Sequence, residues 1–105
     1  SMGGYGTWAT AAAQPEMIAA IVPIAGGGHV EQAKSLAAIP IWAFHGENDK
    51  VVPVDQTQQM IEAIRSARGQ PKETILSEEG HGICKKVCER ADLWQWLLAQ
   101  QRPTQ

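Results

Sequence analysis

The chain has no basic cluster. Lysine and arginine number 9 against 11 acidic residues, and Lys85-Lys86 is the only adjacent basic pair. With a formal net charge of −2, the electrostatic footprint of a nucleic-acid binder is missing. Long hydrophobic runs are also missing. The longest, Met17 to Ala25, is interrupted by Pro23 and falls well short of the ~20 residues that span a bilayer. No signal-peptide pattern is visible, and localisation stays unassigned. Cysteine is scarce, with Cys84 and Cys88 alone. A structural zinc normally takes four Cys or His ligands, and His29 and His45 have no ligand-like spacing. The cysteine pair is left as free thiols, a local disulfide, or half of a metal site with His81. Repeats, low-complexity tracts and linkers are absent too, so residues 1–105 are expected to form a single domain.

What is present is ordinary for a globular protein: 44% hydrophobic and 19% charged residues, enough apolar material for a core. Gly4 to Ala13 predicts an alanine-rich helix ended by Gln14-Pro15. Ile18 to Ile24 is a near-continuous apolar run closed by three glycines, the pattern of a strand buried on both faces. Glu31 to Ala38 is a short helix candidate. A second buried strand is expected over Ile39 to Phe44, ended by His45-Gly46. Val54 to Arg68 has the clearest helical spacing, with Gly69 at its C-cap. Lys72 to Ser77 predicts a more polar third strand at a sheet edge, Gly80-His81-Gly82 a loop, and Arg90 to Gln101 a final helix. This alternation predicts an α/β fold, a three-stranded parallel sheet flanked by helices on both faces.

The opening Ser1-Met2-Gly3-Gly4-Tyr5-Gly6 reads as the back half of a nucleophile elbow, G-x-S-x-G, with Ser1 as nucleophile and Gly3 as closing glycine. Asp49 follows the second strand and His81 the third. Functional residues of open α/β sheets collect at the carboxyl ends of strands, so the three are expected at one sheet edge. The chemistry is acyl transfer: an imidazole takes the serine proton and a carboxylate fixes the imidazole's tautomer. Ser, then Asp, then His is the order of the α/β-hydrolases.

The segments S-M-G-G-Y-G-T-W, A-A-I-V-P-I-A-G-G-G, I-P-I-W-A-F-H-G-E-N-D-K-V-V-P-V, G-H-G and L-W-Q-W-L-L resemble the C-terminal half of an α/β-hydrolase. The likeness is to the dienelactone-hydrolase and prolyl-oligopeptidase-like group of esterases and peptidases, over roughly residues 1 to 101. His45 to Pro53, H-G-x-x-D-x-x-V-P, is its most specific block. The resemblance implies a partial α/β-hydrolase fold with catalytic Ser1, Asp49 and His81, and Met2 as an oxyanion-hole donor. It implies a serine hydrolase of carboxylic esters or peptides that needs no metal or organic cofactor. His45 is expected to be structural, hydrogen-bonding the acid loop.

A chain that begins at the elbow is expected to be a C-terminal fragment with weak activity or none. The competing class is a non-catalytic α/β remnant acting as an interaction or binding module. The Ile18–Ile24 strand is expected to have an uncovered edge, and the Trp8–Ala13 and Trp94–Leu98 faces to be exposed. These features predict a homodimer. The expected partners are therefore a small-molecule ester or peptide substrate and a second copy, with no nucleic acid and no membrane.

Overall fold

The computed structural model of the chain describes residues 2–100. Helix α1 runs Met2–Ala13, α2 Ala33–Leu36, α3 Asp55–Ser66, α4 Cys84–Cys88 and α5 Ala91–Ala99. Strands β1 (Trp42–Gly46) and β2 (Lys72–Leu76) pair in parallel, Trp42 opposite Lys72 through Gly46 opposite Leu76. Short 3₁₀ turns cover Pro15–Met17 and Val30–Gln32.

The expected three-stranded sheet is therefore corrected to two strands. Ile18–Ile24 lies beside β1 in parallel but touches it only through isolated bridges, Ile21 to Ile41 and Ile24 to Phe44. The backbone bonds show why. Ile21 N–H donates to Pro40 and Trp42 N–H to Ile21, then Phe44 N–H donates to Pro23 and Ala25 N–H to Phe44. The one missing rung is the bond that residue 23 would donate to Trp42, and proline has no N–H to give. A single residue breaks the ladder without moving the segment out of register.

Every residue of β1 is buried, and its alternating side chains divide the core in two. Ile41 and Ala43 pack with Trp8, Ala11, Leu36, Met60, Ile61 and Ile64 from α1, α2 and α3. Trp42 and Phe44 pack on the opposite face with Ile83, just before α4, Val87 of α4 and Leu93 of α5. Strand β2 is only partly covered, as its polar sequence predicted. The expectation of exposed apolar helix faces holds at one place and fails at the other. Trp8 and Ala11 are fully buried, whereas Trp94 and Leu98 are exposed. Helix α4 lies between the expected Gly80–Gly82 loop and the final helix, in a stretch to which the sequence pattern assigns no element.

Candidate active site

Two adjacent parallel strands deliver their following loops to the same edge, and here those loops are stitched together. Glu47 N–H donates to Leu76 at 3.0 Å and Asn48 N–H to Glu79 at 2.9 Å. Gly46 makes the contact possible, since a Cβ there would run into the carbonyls of Glu79 and Gly80. Asp49 and His81 are brought face to face as a result.

The Asp49 side chain is fully buried and its carboxylate accepts three hydrogen bonds. Oδ1 accepts the Val51 and Val52 amides at 2.9 and 2.8 Å. Oδ2 accepts His81 Nδ1–H at 2.7 Å, and His45 Nε2 lies 3.2 Å away. Burial alone would push this carboxyl up. The bonds from His81 and from the Val52 and Val51 amides outweigh it, and the net position is below the ordinary value. Asp49 is thus held as the anion. Its partner must then donate from Nδ1, which fixes the neutral His81 tautomer with Nε2 as the free acceptor.

Behind the acid stands His45, completely buried. Its Nε2 meets only acceptors, the Val52 carbonyl at 2.8 Å and Asp49 Oδ2, so that nitrogen carries a proton. Its Nδ1 lies 2.7 Å from the Thr57 hydroxyl on α3. Thr57 in turn donates to the Gly26 carbonyl at 3.1 Å, where Trp8 Nε1 of α1 also arrives at 3.3 Å. The structural role expected of His45 is seen in full. Thr57 and Gly26 were missed, because nothing in the spacing of a helix threonine and a loop glycine marks them as one polar cluster.

Helix α1 approaches the site backbone to backbone. A Cβ on Gly4 would collide with the Ile24 carbonyl and with Gly26, and one on Gly26 would collide with Gly4. Between the start of α1 and the His81 loop lies an open cavity of about 220 Å³, lined by Gly3, Gly4, Thr7, Ile24, His81 and Cys84 among others. Met2 is the first residue of α1, so its N–H is among the donors that a helix leaves unpaired in its first turn. Ser1, the expected nucleophile, lies outside the described residues. A larger cavity of about 340 Å³ lies at the opposite end of the strands, beside Ile41, Arg68, Lys72 and Trp96, and contains no acid–base pair. Among the described residues no cluster of three His, Cys, Asp or Glu could hold a metal ion.

A family model of the dienelactone hydrolase family matches residues 1–93. Among solved structures, a thermostable esterase superposes with a TM-score of 0.93 at 35% identity, over 97% of this chain and 30% of its own. Arabidopsis thaliana SOBER1 superposes at 0.76 and 20% identity, over 93% of this chain and 49% of its own. An acylaminoacyl peptidase superposes at 0.69 and 12% identity, over 96% of this chain and 23% of its own. The last two likenesses concern the fold alone. Among curated protein sequences, none matches significantly. The chain spans less than half the length of each of these three structures.

Proposed function

The chain belongs to the dienelactone hydrolase family, and from that premise we propose that it carries the nucleophile, base and acid of a serine hydrolase acting on carboxylic esters. In this reading Ser1 Oγ attacks the ester carbonyl carbon while His81 Nε2 takes its proton. Asp49 holds the imidazole in the required tautomer and stabilises the imidazolium that forms. The Met2 N–H, at the start of α1, donates to the oxyanion. Collapse expels the alcohol, which takes the proton from His81, and water then releases the acyl group by the same steps in reverse roles. A peptide bond would follow the same course with an amine leaving. The observation that carries the reading is the 2.7 Å bond from His81 Nδ1 to a buried carboxylate that two backbone amides also hold, beside a cavity that ends at the first turn of α1.

Reaction with a fluorophosphonate probe, followed by mapping of the label, tests it. Label on Ser1 that disappears in Ser1→Ala and His81→Ala supports the triad; label elsewhere, or none, rejects it.

One observation favours a second reading, a non-catalytic module that assembles as a homodimer. Among the described residues, the N–H and C=O groups of Val22 make no backbone hydrogen bond. Val22 is only partly buried. An open strand edge of this kind pairs readily with another chain. Light scattering that gives the monomer mass, 11.4 kDa, rejects this assembly. A dimer lost on Val22→Lys, with the fold retained, supports it.

A further inference from the structure

The mechanism leaves one pair of nucleophilic side chains unused. Cys84 and Cys88 are free and exposed on α4, four residues apart and so on one helical face. Ile83 and Val87, both fully buried, anchor this short helix and turn the cysteines outward. Cys84 also lines the cavity that His81 lines, so one thiol of the pair stands at its wall and the other stands one helical turn away.

Geometry decides what two thiols at this spacing can do. Side chains at i and i+4 have Cβ atoms about 5–6 Å apart. A disulfide needs Cβ atoms about 3.5–4.5 Å apart, so direct oxidation would require the helix to deform. A bridge through one additional soft atom, with two bonds to sulfur, spans the gap without that movement. Zinc is a poor occupant, since it takes four ligands and no third His, Cys, Asp or Glu joins the pair among the described residues. Soft thiolate pairs favour ions and metalloids of low coordination number. The two sulfurs sense each other: burial and the neighbouring Cys84 push the Cys88 thiol up.

We propose that Cys84 and Cys88 form a two-thiol site for a thiophilic metalloid of the trivalent-arsenic class, and that an occupant there closes the cavity lined by His81. In the binding step two S–H bonds break and two S–As bonds form. With phenylarsine oxide the two protons leave with the arsenic-bound oxygen as one water, and no oxidant or reductant is needed. The closure half rests on the proposed function for its meaning, but not for its measurement.

Phenylarsine oxide added to the full chain is the test, read by mass spectrometry. One phenylarsenic group per chain is expected, released by a dithiol and not by a monothiol. Cys84→Ser and Cys88→Ser should each weaken binding by about 10²-fold, the loss expected when two-point attachment becomes single-point. Retention of tight binding in either variant overturns the site. Histidine carbethoxylation by diethyl pyrocarbonate then reads the cavity. His29 is exposed and serves as reference, His45 is buried and should stay silent, and His81 reports. With arsenic bound, His81 should react severalfold more slowly relative to His29. An unchanged His81 rate overturns the closure, and so does a newly reactive His45, which would mean that the occupant opens the fold instead. Neither measurement depends on turnover, so failure of the hydrolase reading leaves both intact.

Discussion

Asp49 and His81 share one short hydrogen bond, yet the fold holds them in opposite ways. Asp49 is fixed by two backbone amides and the His81 imidazole, with the His45 ring packed 3.2 Å behind it and no side-chain surface left in water. His81 keeps 27% of its side chain exposed, and among the described residues that one bond to Asp49 is its only side-chain anchor. The fold thus treats the proposed acid as a structural group and the proposed base as a guest. In the proposed mechanism the base must rotate slightly between partners during proton transfer, whereas an acid that only orients has no reason to move. Stability and chemistry should therefore separate along this pair.

The largest effect is expected from Asp49→Ala, which leaves the Val51 and Val52 amides and the His81 N–H without their shared acceptor. Each buried donor left unsatisfied costs about 1–3 kcal/mol, together enough to unfold much of a small domain, as urea titration would show. His45→Phe should cost about 2 kcal/mol, because Thr57 and the Val52 carbonyl lose a buried partner. Next comes acid sensitivity. The Asp49 carboxyl lies below its ordinary value in the folded chain. Its stabilisation is therefore complete above the unfolded value of about 3.9 and fades as pH falls through the folded one. Urea midpoints measured from about pH 6 down to about pH 2 should fall less steeply in Asp49→Asn. His81→Ala should be the mildest change, about 1 kcal/mol or less, while abolishing reaction with the fluorophosphonate. A His81→Ala variant as unstable as Asp49→Ala would end the contrast.

Much of this site could be read from the sequence because parallel topology does the placing. With Ile39–Phe44 and Lys72–Ser77 as neighbouring strands, Asp49 and His81 have to emerge at one edge. Periodicity also marked α3, whose Met60, Ile61 and Ile64 are buried as expected. It failed where one atom decides. Pro23 sits within a strongly apolar run, and hydrophobicity carries no record of the absent N–H that reduces a strand to two bridges. It failed again at α4, where two lysines and two cysteines in five residues obscure a helix fastened by Ile83 and Val87. The His45–Thr57–Gly26 cluster depends on contacts between distant segments, which local pattern cannot encode.

The meeting of Gly4 with Gly26 has a consequence for how such a protein can change. Two main chains in direct contact act as a hard stop, with no side chain able to swing aside and absorb a difference. An added methyl at either position must translate the first turn of α1 bodily, and a misplacement of about 1 Å at reacting groups costs about 10²-fold in rate. The molecule therefore has a gauge block between its first helix and the loop after Ile24. Surface positions can drift through many residue types while these two remain closed to all but one.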